Sequence, residues 1–321
     1  MPTTVSIILP VRDSGAYLKR CIDSVIGQDT DGWELLIIND GSSDDTCDIA
    51  GSYADKDHRI SLHDSPGKGV SAARNHGLGL SRGGYVCFID SDDYIDPGFL
   101  SELTGIMEKN DADMAQCSFF YAHDDGTLIP DGEAVSAVYD NREEILKAYL
   151  SGMIGHINLA CWGKLYDGEL ARSVMFDETL TIQEDAFFTF SCCMKASKIA
   201  CSNRPLYYYY QNPGSVMNRA FDGSKMQYFT VLDRELDLCR DDEDLTCMIL
   251  NRKMITALDL TSTVIRDGSG KEYLGELRNI ALDTSDKIKK RIDTGYRTRN
   301  KLFLLKHFPS VYYGLLRIRH R

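Results

Sequence analysis

"YVCFIDSDDYIDPGFL", residues 85–100, decides how the chain is read. An apolar run from Tyr85 leads straight into aspartates at 90, 92, 93 and 96. The run, Tyr85 to Asp90, has the length and character of a buried strand. Asp96 as N-cap and Pro97 as first helical residue predict that a helix follows. Carboxylates clustered at a strand end repel one another, and like charges a few ångströms apart disfavour joint ionisation. A divalent cation removes that cost. Solvated loop and cap positions also tolerate it, because aspartate concentrates at strand ends and helix starts.

The same alternation repeats on the N-terminal side. "VSIILP" (Val5 to Pro10) is a short apolar strand, with Asp13 or Ser14 as the next N-cap. Leu18, Cys21, Ile22, Val25 and Ile26 then recur on one helical face. "ELLIIN" (Glu34 to Asn39) is a second strand, and Ser42 with Asp45 three residues on forms a capping-box pattern. A third short strand, Ile60 to His63, leads into the glycine-rich "SPGKGVSAARNHGLGLSRGG". Near-continuous apolar strands between amphipathic helices predict an α/β fold with a mostly parallel sheet covered on both faces. Ligands bind such sheets at the carboxyl ends of the strands, so Asp13, Asp40, and Asp90 with Asp92 and Asp93 should line one edge. Magnesium or manganese suits that edge, since both prefer carboxylate oxygens and keep positions open for substrate phosphates.

Lys68 and Arg74 lie in the glycine-rich turn and the helix after it, where backbone N–H groups favour phosphate. The turn does not match GxGxxG and follows the third strand rather than the first, which argues against a dinucleotide-binding dehydrogenase. No Walker A sequence is present.

Four stretches, "VSIILPVRDSGAYLKRCIDSVIGQ", "ELLIINDGSSDDT", "GKGVSAARNHGLGLSRGGYVCFIDSDD" and "TIQEDAFF", closely resemble the family 2 inverting glycosyltransferases of the GT-A fold. The resemblance covers about the first two-thirds of the chain. It implies that Pro10, Val11 and Asp13 hold a nucleoside and that Asp40 bonds the uracil of a UDP-sugar. It implies a DxD motif at Asp90-Ser91-Asp92, the first aspartate on the ribose and Asp92 on a Mn2+ or Mg2+ ion at the diphosphate. Arg74 is then expected to pair with the acidic cluster or with phosphate. The Glu184-Asp185 pair carries the general base, Asp185. Trp162 and Lys164 fall where the family has a Trp or Asn followed by Lys, implying sugar stacking and a phosphate contact. Ser215 lies in a turn that the family places near the diphosphate. The chain departs from the pattern at Arg12-Asp13, where the family usually has Tyr-Asn.

Each assignment has a plainer counterpart. Trp162 also reads as core, Lys164 as surface, and "QEDAFFTFSCCMK" as a helix whose first turn favours acids through the dipole. The physical case for Asp185 is that glycosidic bond formation with inversion needs one carboxylate beside the acceptor hydroxyl. Metal at the diphosphate makes a second, acidic group unnecessary. Two rivals follow: a sugar nucleotidyltransferase, which would want a glycine-rich loop after the first strand, and an inactive nucleotide-binding module.

The expected organisation is a catalytic domain over 1–220, split into a nucleotide half (1–95) and an acceptor half (96–220), and a helical domain over 221–321. The acceptor half should contain a hairpin turning at Asp125-Gly126, a helix near Arg142 to Leu150, and a strand at "PLYYYY" with two tyrosines on each face. The net charge of -12 is uneven. Ser285 to Arg321 holds 11 Lys/Arg against Asp286 and Asp293, a balance of +9, so the preceding residues carry -21. An acidic body disfavours nucleic acid as a partner, while the basic tail suits an anionic membrane surface or packs on its own domain. The acceptor implied is a glycan or a lipid-linked saccharide. Ten cysteines without CxxC spacing and an N-terminus without a basic leader predict reduced thiols and a cytoplasmic protein, or one peripheral on the inner face of the cell membrane.

Overall fold

The computed structural model describes residues 5–132, 135–151, 157–212, 220–288 and 294–319. The chain divides into two compact units, 1–213 and 214–321. In the first, β1 (Val5–Val11), α1 (Gly15–Ile26), β2 (Trp33–Asn39), α2 (Thr46–Ala54), β3 (Ile60–Asp64), α3 (Val70–Leu80) and β4 (Tyr85–Phe88) alternate. There follow β5 (Tyr94–Ile95), α4 (Phe99–Asn110), the hairpin β6 (Met114–Ala122) and β7 (Leu128–Pro130), β8 (Ala137–Tyr139) and α5 (Arg142–Leu150). The unit closes with β9 (Lys164–Asp167), α6 (Gly168–Arg172), α7 (Glu184–Lys195) and β10 (Ile199–Tyr210).

Among the described residues the ten strands form one sheet whose main path is β3-β2-β1-β4-β9-β6-β10-β5. The ladders β3-β2-β1-β4 are parallel, as expected. Beyond β4 the sheet is mixed, because β9 is inserted antiparallel between β4 and β6. β6 and β10 resume the original direction, and the short β5 runs against β10.

Burial on both faces explains the near-continuous apolar strands. Ile7, Leu9, Leu35, Ile37 and Cys87 pack in one cluster with Leu18, Cys21, Ile22 and Val25 of α1 and with Phe99, Leu103 and Met107 of α4. Each such aliphatic side chain stabilises the fold by roughly 1.5–3 kcal/mol. The opposite face meets α3, where a Cβ on Gly77 would lie 2.5 Å from the Ile8 side chain. Only glycine lets that helix approach so closely.

Two helix starts differ from expectation. α2 begins at Thr46 rather than at Ser42, because Ser42 is occupied in the loop: its Oγ accepts from the Asp13 N–H at 3.2 Å and its N–H donates to the Asn39 side chain at 2.9 Å. α4 begins at Phe99, because Asp96 folds an Asx turn over Pro97 onto the Gly98 N–H, 2.9 Å away. Ser14 takes the N-cap position of α1, as expected, though its side chain makes no cap hydrogen bond. The second unit is helical over its described residues: α8 (Gln227–Leu238), α9 (Glu243–Asp267), α10 (Leu274–Ile288), α11 (Gly295–His307) and α12 (Pro309–Arg319). Among the described residues no helix is long and apolar enough to cross a membrane.

Candidate active site

Because β1, β2 and β4 are parallel and in register, with Val11 opposite Asn39 and Ile8 opposite Phe88, the residues that follow them emerge on one edge. A cleft of about 330 Å³ opens there. Pro10, Val11, Asp13, Asp40, Arg74, Asp90, Ser91 and Asp92 line it, joined by Arg12, Ser14, Tyr17 and Asn212.

Hydrogen bonds between loops set its shape. Asp13 sits at φ 45°, and its carboxylate accepts from the Ser43 N–H (2.7 Å) and hydroxyl (3.0 Å), bonds that hold its pKa below the ordinary value. Ser14 and Ser91 hydroxyls meet at 2.7 Å and tie the β1–α1 loop to the acidic loop. Both oxygens of Asp40 accept from the Gly69 N–H, at 2.9 and 3.0 Å, and Arg12 reaches one of them at 3.4 Å. The glycine-rich turn therefore serves Asp40 through its backbone, with Gly69 at φ 93° as few other residues permit. Lys68 is exposed and does not line the cleft.

The aspartates after β4 have separate fates. Asp93 is fully buried, accepting from the Tyr207 hydroxyl (2.6 Å) and the Tyr210 N–H (2.8 Å). Burial, and then Asp90 and Asp92, push its pKa well above the usual carboxylate range. Asp92 faces the cleft and accepts from the Asn212 side chain at 3.2 Å, and its pKa is raised by desolvation and by Asp90. Asp90 pairs with Arg74 at 2.9 Å.

Arg74 links the two halves of the site. Its guanidinium, 4% exposed, spans Asp90 and Glu184 with N–O distances of 2.9 Å to each. Glu184 and Asp185 begin α7 behind Gln183, which holds φ 61°. Asp13 and Gln183 are thus two left-handed non-glycine residues beside candidate functional groups, where backbone strain characteristically collects. Asp185 is half-buried, and desolvation, followed by repulsion from Glu184 and countered by Arg74, lifts its pKa to about 7.

Two expected ligand contacts are replaced by packing. Trp162 is 8% exposed and stacks on Tyr207 and Tyr209, with centroids 4.6 and 5.1 Å away, so its faces belong to the core and not to a sugar. Lys164 is fully buried rather than on a phosphate. Its Nζ donates to the Asn158 side chain and, at 2.7 Å, to the Ala160 carbonyl, and burial lowers its pKa to about 8. The Thr189 hydroxyl of α7 donates to that same carbonyl, so Lys164 steadies the loop on which α7 rests. Ser215 lies outside the described residues. Sequence reasoning missed Ser14, Asn212 and Tyr207. Only the period-two alternation of "YYYY" hinted that Tyr207 shares a face with Tyr209.

The metal expectation can be tested on these donors. Among the described residues no three acidic, histidine or cysteine side chains converge as a ready-made cage. Asp92, with Asp90 beside it, offers carboxylate oxygen at an open cleft, the donor set that suits Mg2+ or Mn2+ shared with substrate phosphates.

Residues 6–165 match the family model described as Glycosyl transferase family 2. The chain belongs to this family. It is 32% identical over 218 residues to the uncharacterized glycosyltransferase EpsJ of Bacillus subtilis, a match covering 66% of this chain and 62% of the relative. The putative glycosyltransferase EpsH of the same organism is 29% identical, covering 67% and 63%. The match thus spans a little over three-fifths of the length of these relatives. Staphylococcus aureus TarS 1-349, crystallised with UDP-GlcNAc, superposes with a TM-score of 0.74 at 20% identity, covering 99% of this chain and 91% of that one. This likeness bears on the GT-A fold, which the family 2 chain shares.

Proposed function

We propose that the protein transfers a sugar, with inversion, from a UDP-linked donor to a hydroxyl of a glycan or lipid-linked saccharide. The observation that carries this reading is the joining of a nucleotide-sized cleft, through Arg74 and Glu184, to a carboxylate of pKa about 7. Pro10, Val11 and Asp40 would hold the nucleoside, and Asp90 the ribose. Asp92 would hold a Mg2+ or Mn2+ ion, which when bound stabilises charge on the departing diphosphate. Asp185 would accept the acceptor hydroxyl's proton as its oxygen attacks the anomeric carbon, forming that C–O bond while the bond to the diphosphate breaks. A base of pKa near 7 is ionised in good part at neutral pH and still basic enough to take a proton. The UDP-GlcNAc in the TarS crystal supports a UDP-linked donor without assigning the sugar here.

Calorimetric titration of UDP with manganese, then with chelator, tests the nucleotide edge. Metal-dependent binding is expected, and absence of binding in both conditions would remove UDP as the donor nucleotide. Asp185→Asn should keep UDP binding and lose transfer; retained turnover would place the base elsewhere.

A further inference from the structure

The helices that end the described chain carry more apolar surface than their own packing uses. On α12, Tyr312 and Leu316 are buried at 3% and 6% exposure. A second stripe, Val311, Leu315 and Ile318, recurs at i, i+4 and i+7 and is 52%, 51% and 72% exposed. α11 repeats the arrangement. Leu302 and Leu305 are buried, while Tyr296 and Phe303, seven residues apart, are 72% and 57% exposed. Phe308, at the break between the helices, is 53% exposed with its ring 6.2 Å from that of Phe303. The exposed band therefore runs on from α11 into α12. A helix packed only on its own domain needs one apolar stripe, and these have two.

Along α11 and α12 themselves the charge has one sign, and Asp259 of α9 lies near Lys301 and the buried Tyr312. Arg297, Lys306 and Arg317 are exposed, and no Asp or Glu occurs between Thr294 and Arg321. The turn between the helices is held in place as well. Arg278 of α10 donates to the carbonyls of Leu305 and Lys306, at 2.9 and 3.0 Å, closing the end of α11 where Pro309 begins the next helix.

We propose that α11 and α12 dock on an anionic lipid surface, the apolar band entering the headgroup boundary and the cations meeting lipid phosphate. Exposed aromatic and aliphatic residues interleaved with cations are the pattern of interfacial helices. A second copy of the chain is the competing occupant, but a two-fold pairing through this band would set the same cations against each other. The inference deepens the proposed transfer, on which it rests only in that a membrane site would bring the enzyme to a lipid-linked acceptor.

Flotation of the full chain with vesicles of equal parts phosphatidylglycerol and phosphatidylcholine, against phosphatidylcholine alone, tests the proposal. The protein should float with the anionic vesicles only, and less so as salt shortens the screening length from about 10 Å at 0.1 M to about 3 Å at 1 M. Val311→Ser/Leu315→Ser/Ile318→Ser spares Tyr312 and Leu316 and should abolish flotation while leaving the circular dichroism spectrum intact. Lys306→Gln/Arg317→Gln should weaken partitioning about fivefold for each cation removed. Equal recovery of the stripe variant and the parent would overturn the proposal, as would equal recovery on both lipids. A dimer in light scattering that dissociates in the stripe variant would assign the band to a second copy instead. Flotation and UDP titration fail separately: loss of UDP binding strikes the transfer reading, and loss of flotation strikes the lipid surface.

Discussion

Replacing Arg74 by methionine removes a cation that pairs with both Asp90 and Glu184. Methionine keeps most of the buried volume, so the change is chiefly electrostatic. At about 4 Å between charge centres and an effective dielectric near 20, each pair is attracted by roughly 4 kcal/mol before desolvation is counted. Removing one partner of a buried pair costs about 3–5 kcal/mol, because the remaining charge stays buried and unpaired. Glu184, with an 11% exposed side chain, would bear most of that cost, while Asp90 at 29% can recruit water. We therefore expect a loss of about 3 kcal/mol near pH 8. Both tryptophans, Trp33 and Trp162, lie in the first unit, so urea unfolding followed by their fluorescence reports on this unit alone. Arg74→Met/Glu184→Gln should recover part of the loss, because the residue most in need of Arg74 has become neutral. A loss below about 1 kcal/mol, or no recovery in the double variant, would refute the bridge as the element that holds the two halves of the site.

Four further outcomes are expected. Activity should rise with pH through a limb centred near 7, where Asp185 ionises, and Glu184→Gln should shift that limb to lower pH by removing a like charge; a parent limb near the ordinary carboxylate value of 3.8 contradicts the assignment. The raised pKa also means that the folded state binds this proton more tightly than the unfolded chain, so stability falls as pH climbs from about 4 to about 7. Asp185→Asn should consequently match the parent in denaturant near pH 4 and exceed it near pH 8. Asp92→Ala should abolish manganese-dependent UDP binding in calorimetry, and an unchanged titration would take Asp92 out of the site. Lys164→Met should leave UDP affinity nearly unaltered, because its ammonium serves Asn158 and Ala160; a tenfold loss, ~1.4 kcal/mol, would return it to the diphosphate.

Much of the architecture could be read from local pattern. The alternation of apolar strands with amphipathic helices depends on residues a few positions apart, and the same periodicities gave α5, the β6–β7 hairpin and the helices of the second unit. Helix starts were less legible. Ser42 and Asp96 have the chemistry of caps, but each is bonded to a nearer turn, and the choice between partners of similar strength is made by the surrounding loops.

By itself the sequence determined that the first four strands run parallel and hence that Asp13, Asp40 and Asp90 emerge on one edge, because a helix between successive strands returns the chain in the same direction. Tertiary structure alone decided what each polar residue does there. Nothing local distinguishes Asp92, which faces the cleft, from Asp93, which is sealed under Tyr207 and the Tyr210 N–H. Nor does local pattern show that Lys164 is buried or that Arg74 reaches Glu184 across 110 positions of sequence. Charge and hydrogen-bonding capacity are properties of a residue, but desolvation and pairing belong to its neighbours in space, and those neighbours are set only when the chain has folded.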